Sequence, residues 1–337
     1  MIRAEAVTMA DVGARAGVTA RTVSNVLSGN TPVRPETRDR VMRAVDELGY
    51  RINTAARSLK TGRIGSITLA IPDLGIDYFA DLARRIMRQA ERHDWAVVIE
   101  QTGARRDQEL SILSGGHRQH SDGLIFQPHA LGPGDERYLV GNEHLVILGD
   151  RIFNGPVDHV TMANTAASRM ATQYLVDRGY RRIAAIGSNP RIRSVSAASL
   201  RLDGYKEALA AAGIPLRDDY IISAEEWHLR DGAAGMAQLL ALAEPPDAVF
   251  CFNDTLAFGA MHAAYAAGLR IPGDVAVVGF DNVPFAEFAV PPLTTVEPGT
   301  EEIAKLSVDL LAARVEGRAA MPVELVANCS LVARQSA

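Results

Sequence analysis

Two groups of side chains in this 337-residue chain have types and spacings that could do chemistry. The first is spread from residue 73 onward, where short apolar runs end repeatedly in a polar residue. Asp73 follows ITLAIP, Asp150 follows LVILG, Asn253 follows AVFCF and Asp281 follows VAVVGF. Arg201 opens RLDGYKEAL, and Trp227 lies just after YIIS. Carboxylates and amides take paired hydroxyls, a guanidinium donates in a fixed fork, and an indole stacks on the C–H face of a sugar. That is binding chemistry for a polyhydroxylated small molecule. The second group is Ala20, Arg21, Ser24 and Asn25 in TARTVSNVL. These small or hydrogen-bonding side chains suit the edges of bases in a major groove.

Some of these residues have plainer roles open to them. Asp73 is as well placed to cap a helix, and Trp227 could be half-buried packing. Asp254 is expected to cap the helix TLAFGAMHAAY. Catalytic chemistry finds little support. The chain has no G-x-G-x-x-G after its strands, no G-x-x-x-x-G-K and no G-x-S-x-G. His93, His117 and His120 lack metal spacing, and Cys251 and Cys329 are too far apart for a disulfide framework. No cofactor or metal is expected, and the chain is not read as an enzyme.

The elements that must position these groups can be read from periodicity. Thr8 to Leu27 reads as two short helices and a tight turn, with Val12, Ala16, Val18, Val23 and Leu27 on the inner face. Gly17 can take a left-handed turn, and Thr19 can cap the second helix. A third helix is expected from about Pro35 to Leu48, closed by Gly49. Residues 1–63 hold eleven Lys and Arg against six Asp and Glu, a balance of +5, while the remainder carries −10. A basic head on an acidic body confines phosphate attraction to one end, because that attraction decays within about a Debye length of 8 to 10 Å. Arg51 to Gly62 has a helical stripe of Ala55, Ala56 and Leu59 with Asn53 as its cap. A helix of about eight residues is marginal alone in water.

From Ile64 on, strand-like runs alternate with helical stretches. The runs are 67–71, 95–100, 123–126, 145–148, 183–187, 248–252 and 275–280, and the stretches include Phe79–His93, Thr165–Arg178, Arg201–Ala212 and Asp254–Ala267. This alternation predicts parallel sheets covered by helices, and ligands bind outside the C-terminal ends of such strands. No apolar run approaches the roughly 20 residues that span a bilayer. The N-terminus lacks a signal-peptide pattern, so a cytoplasmic, nucleoid-associated protein is expected.

The stretches VTMADVGARAGVTARTVSNVLSGN, RPETRDRVMRAVDELGY and NTAARSLKTGRIG resemble the LacI/GalR family of bacterial transcription regulators. The resemblance implies an all-α helix-turn-helix head over 1–50 and a hinge helix over 51–63. It also implies an α/β periplasmic-binding-protein-like body of two parallel-sheet subdomains. The chain would cross three times between them, giving 64–164 with about 293–322, and 165–292 with about 323–337. Thr294–Val296 and a helix over 301–316 would then belong with the first subdomain. DNA contacts are implied for Thr8, Thr19, Ala20, Arg21, Thr22, Ser24 and Asn25 in the head. Asn53, Ala56, Arg57 and Leu59 would act from the hinge, with Leu59 wedged between base pairs.

Effector contacts are implied for Arg201, Asn253 and Asp281, with Phe79 on the wall of the first half, beside Asp73, Asp150 and Trp227. Ala163 stands where the family commonly has an aspartate. Arg191 and Arg193 are read as solvated loop arginines. The expected function is a repressor binding a near-palindromic operator as a homodimer, switched by a small carbohydrate-like effector. No heptad tail follows SLVARQ, so dimers rather than tetramers are expected. The alternative is a cytoplasmic sugar-binding α/β protein or enzyme without a regulatory role.

Overall fold

The computed structural model describes residues 7–28, 32–50, 63–192, 194–319 and 321–337, without the side chains of Ser28, His117 and Arg118. The chain divides into two compact units, Met1–Ile64 and Gly65–Ala337. The hinge helix, with Asn53, Ala56, Arg57 and Leu59, lies outside the described residues.

The first unit is three helices: α1 (Met9–Ala16), α2 (Ala20–Ser28) and α3 (Pro35–Leu48). Gly17 ends α1 at φ 68°, a left-handed turn that only glycine takes without a Cβ penalty. Pro35 opens α3 and Gly49 closes it. Val12, Ala16, Val23, Val26, Val41, Ala44 and Tyr50 are buried together.

The second unit carries two six-stranded sheets among the described residues. The first contains β1 (Ser66–Ile71), β2 (Ala96–Gln101), β3 (Leu124–Phe126), β4 (Leu145–Leu148) and β5 (Asp158–Met162). The second contains β6 (Ile183–Ser188), β7 (Ile221–Ser223), β8 (Ala248–Cys251), β9 (Ala276–Phe280) and β10 (Thr294–Glu297). β11 (Glu324–Ala327) closes the first sheet and β12 (Ser330–Val332) the second. The orders are β11-β5-β4-β3-β1-β2 and β12-β10-β9-β8-β6-β7, parallel except for the β10–β12 pair. The fold class read from the sequence is therefore the one observed.

The helices of the body are α4 (Asp77–Glu91), α5 (Arg106–Leu113), α6 (Asn164–Asp177), α7 (Ala197–Ala211), α8 (Leu229–Leu240), α9 (Asp254–Ala266) and α10 (Thr300–Val315). Central strands are buried on both faces, which is why they read as unbroken apolar runs.

Two placements differ from expectation. Thr294–Val296 belongs to the second sheet, where β10 pairs parallel with β9. Its buried threonines hold it there: the Thr294 N–H donates to Ser336 Oγ at 2.8 Å, and Thr295 Oγ1 donates to Asp254 at 2.5 Å. Residues 324–327, assigned to the second half, instead form β11 beside β5 in the first. There Asp158 is clamped by Nε and one terminal nitrogen of Arg314 at 2.7 and 2.8 Å and also accepts the Val323 N–H, drawing the chain after α10 back to the first sheet. The chain thus crosses between sheets after β5, after β10 and after β11.

Helices α6 and α7 pack closely at Gly204, where an added Cβ would collide with the Thr165 carbonyl oxygen. Gly204→Ala is therefore expected to lower stability by about 1–3 kcal/mol through overpacking, read as a lower urea midpoint with an unchanged slope.

Candidate functional site: a helix face and a cleft

On the head, Thr8 caps α1. Its hydroxyl donates to Asp11 Oδ2 at 2.7 Å and accepts the Asp11 N–H at 3.3 Å, and its own N–H returns to Asp11 at 2.8 Å. Those bonds hold the Asp11 carboxyl below its ordinary value. Thr19 caps α2 by accepting the Thr22 N–H at 3.2 Å, and the two hydroxyls lie 3.1 Å apart. Because Val23 and Val26 point into the core, Ala20 and Arg21 are left exposed, with Thr22, Ser24 and Asn25 half-exposed. Spacings of four residues put Ala20 beside Ser24 and Arg21 beside Asn25.

In the body, the C-terminal strand ends of both sheets face one cleft of about 420 Å³. All seven residues singled out for it (Asp73, Phe79, Asp150, Arg201, Trp227, Asn253 and Asp281) line that cleft. Arg201 is the centre of its floor. The sequence reading placed it at the start of a helix, but α7 begins a turn earlier, capped by Ser196, so Arg201 points down from the second turn. Its Nε donates to Asn164 Oδ1 at 2.7 Å, one terminal nitrogen to the Phe252 carbonyl, and the other to Met162 Sδ at 3.4 Å. The guanidinium lies 3.6 Å over the Phe280 ring and 5.3 Å from that of Trp227. Asp281 Oδ1 is 3.8 Å away.

Asp150 accepts from Thr161 Oγ1 at 2.9 Å and from Asn164 Nδ2 at 2.6 Å. Burial pushes the carboxyls of Asp150 and Asp281 upward, with Arg201 opposing it, and the same burial pulls Arg201 downward. One guanidinium therefore balances two carboxylates withdrawn from water. Trp227 and Asp281 hold φ values of 59° and 114°, backbone that costs on the order of 1–3 kcal/mol for a residue with a side chain. Trp227 is fixed by its Nε1–H donating to the Gly187 carbonyl at 2.9 Å.

At the mouth, Asp73 accepts the Gly75 N–H at 2.8 Å, an Asx turn rather than a helix cap, and faces His228 Nε2 of the other half at 3.4 Å. Arg191 is exposed and pairs with Glu225 at 2.6 Å, while Arg193 lies outside the described residues.

Asn253 lines the cleft as expected but also takes the cap expected of Asp254. Asn253, in extended conformation, is the cap of α9 and accepts the Leu256 N–H at 2.7 Å. Asp254 is one residue further on and already helical, so its carboxylate turns inward to the Val283 N–H at 2.9 Å and Thr295. It ties α9 to β10 and does not cap.

The cleft also holds groups the sequence reading passed over. Gln101, Gln127 and Asn189 stand at or just past the ends of β2, β3 and β6, where the rule applied to Asp73 and Asp150 would have found them. Arg151 reaches across to the Val195 carbonyl at 2.5 Å. Glu109 had no signal at all: its buried carboxylate accepts three consecutive N–H groups, from His129, Ala130 and Leu131, and so shapes one wall. Among the described residues no group of His, Cys, Asp or Glu is arranged to hold a metal, and no helix is long and apolar enough to cross a membrane.

A helix-turn-helix head on a two-sheet body with a cleft at the strand ends defines a class: DNA-binding regulators with a periplasmic-binding-protein-like domain. Residues 8–53 match bacterial regulatory proteins of the lacI family, and residues 172–337 match a periplasmic binding protein-like domain. The HTH-type transcriptional regulator CelR of Thermobifida fusca is 34% identical over 98% of both chains. A solved LacI-type transcription regulator from Bifidobacterium animalis subsp. lactis is 33% identical, with a TM-score of 0.75 over 81% of this chain and 99% of that one. A CelR–cellobiose complex gives 30% and 0.71 over 98% and 100%. The lac repressor dimer bound to operator and an anti-inducer gives 26% and 0.78 over 98% and 99%. This chain belongs to the LacI family of bacterial transcription regulators.

Burial lifts Asp254 from 3.8 to about 7. Between those values the folded state keeps a proton that the unfolded chain releases, so this group's stabilisation is full below about pH 4 and is lost as pH rises through 7. Asp254→Asn is expected to remove that loss. The gap in melting temperature between wild type and variant should shift in the variant's favour from pH 5 to pH 7.5, followed by thermal unfolding in matched buffers.

Proposed function

We propose that the protein is a repressor that binds a near-palindromic operator as a homodimer and is switched by a small carbohydrate-like effector in the cleft. One observation carries this reading: polar residues from separate strand and helix ends converge on one cleft, in a chain whose helices Met9–Ala16 and Ala20–Ser28 form a helix-turn-helix. Hydroxyls of a sugar would donate to the buried carboxylates of Asp150 and Asp281, with Trp227 and Phe79 as apolar faces. The relative solved with cellobiose supports a saccharide over other polar ligands. In the head, Ala20, Arg21 and Asn25 would read base edges, with Arg21 bidentate to guanine. Thr8, Thr19, Thr22 and Ser24 would contact the backbone or flanking bases.

The homodimer has support from exposed apolar surface in both halves. Phe285, Phe288 and Val290 are 58, 72 and 81% exposed, with Phe258 edge-on to Phe285 at 5.0 Å. The edge strand β2 exposes Val98, and Met87 is exposed on α4. Patches of this kind mark interaction sites on soluble proteins. Two heads on one duplex explain a two-half-site operator. Closing the cleft would turn one half against the other at the dimer face. The hinge segments, marginal by length, would then gain or lose their pairing. A ligand shifts such an equilibrium only by its differential affinity for the two states. We assign the cleft no catalytic step.

Arg21→Ala is expected to relax the preference for one base in each half-site by about 1–3 kcal/mol, scored by binding to a single-substitution operator library. Uniform weakening across the library would reassign Arg21 to phosphate. A thermal-shift screen with glucose, galactose, ribose, cellobiose, gluconate and cytidine should identify a ligand that raises the melting temperature. Operator DNA must then change that ligand's affinity by the same factor by which the ligand changes operator affinity. Equal ligand affinity with and without operator ends the allosteric reading.

A further inference from the structure

The geometry points to Asn164 as the positioning residue that makes contact in one half of the cleft felt in the other. This rests on the effector reading above and adds to it the element that links the halves. The chain first crosses between the sheets at Ala163–Asn164, just past β5. Asn164 is 2% exposed, and its one amide is divided between the halves. Nδ2 donates to Asp150 Oδ1, past the end of β4 in the first sheet, at 2.6 Å. Oδ1 accepts from Arg201 Nε, on α7 over the second, at 2.7 Å. The direction of the amide is set by Arg201, because a guanidinium can only donate and so must face Oδ1.

The other two crossings are tied differently. After β10, Glu297 accepts the Gly299 and Thr300 N–H groups with one oxygen and Asn282 Nδ2 with the other. After β11, Asn328 donates its N–H and side-chain amide to Glu302. Neither Glu297 nor Glu302 lines the cleft, whereas both partners of Asn164 do. With alanine at 163, the residue before it adds no polar group to this link. A ligand that draws on Asp150 or Arg201 therefore pulls on the crossing through Asn164. Opening the halves stretches one of its two bonds, and a buried polar group left half-paired is costly, so the response is stepwise rather than graded.

The test separates the two bonds. Asn164→Asp keeps an acceptor for Arg201 but sets a carboxylate against Asp150, while Asn164→Leu removes both bonds. The chain has two tryptophans, and Trp227 lies 5.3 Å from the Arg201 guanidinium, so in a Trp95→Phe parent its emission reports where Arg201 sits. Without any sugar, Asn164→Leu should shift that emission and Asn164→Asp should leave it in place. If Asn164→Leu does not fold, Asn164→Ser takes its place in this measurement.

With the panel sugar that gives the largest thermal shift, the parent's operator affinity should change at least tenfold. Asn164→Asp should change less than twofold while still binding the sugar. Unchanged emission in the leucine or serine variant, or a parent-like response in Asn164→Asp, overturns the inference and leaves the effector reading standing. A parent that responds to no panel member removes the effector reading itself, and this inference with it.

Discussion

The floor of the cleft is organised around one buried cation. Arg201 is withdrawn from water together with two carboxylates, and it is held by an aromatic face, a main-chain carbonyl, a thioether and an amide. Such an arrangement is poor evidence of stability, since desolvating charges costs several kcal/mol per ion and packed apolar side chains would often do as well. It persists as a polar floor in an otherwise apolar double-layer fold. The strained backbone at Trp227 and Asp281 adds to that cost, and both residues border the same floor. Strain and excess buried charge concentrated at one place are what a binding site leaves in a fold.

The two sheets can carry such a floor because their strand ends face each other. Each half covers its own sheet with its own helices, and buried apolar residues of both halves join in one cluster. Polar side chains tie the crossings: Asn164 between Asp150 and Arg201, Glu297 with Asn282, and Glu302 with Asn328. Further links span the cleft itself, from Arg151 to the Val195 carbonyl and from His228 to Asp73. These contacts are short in range and directional. Small relative movement of the halves makes or breaks them.

The head follows a different economy. Its core is a handful of valines, alanines and one tyrosine, and its helix ends are fixed by Thr8 with Asp11, by Thr19 and by two left-handed glycines. Because local capping and a few contacts suffice, nearly every feature of it could be read in order along the sequence. Val26 and Tyr50 complete that core without having been singled out.

The sequence by itself determined what depends on neighbours a few residues away. It marked the helix-turn-helix with its caps, the parallel strands as unbroken apolar runs, and the polar residues that end them, from Asp73 to Asp281. Only the tertiary structure decided matters that hang on distant partners. It put β10 in the second sheet through Ser336 and Asp254, drew β11 to the first through Asp158, and gave Asn253 the cap while turning Asp254 inward. It also revealed Glu109, a carboxylate with no local motif, holding a wall twenty residues away. The reason is physical. Periodicity and capping are satisfied by the chain's own next turn, but a strand's sheet and a buried acid's donors are supplied by segments whose approach no local pattern encodes.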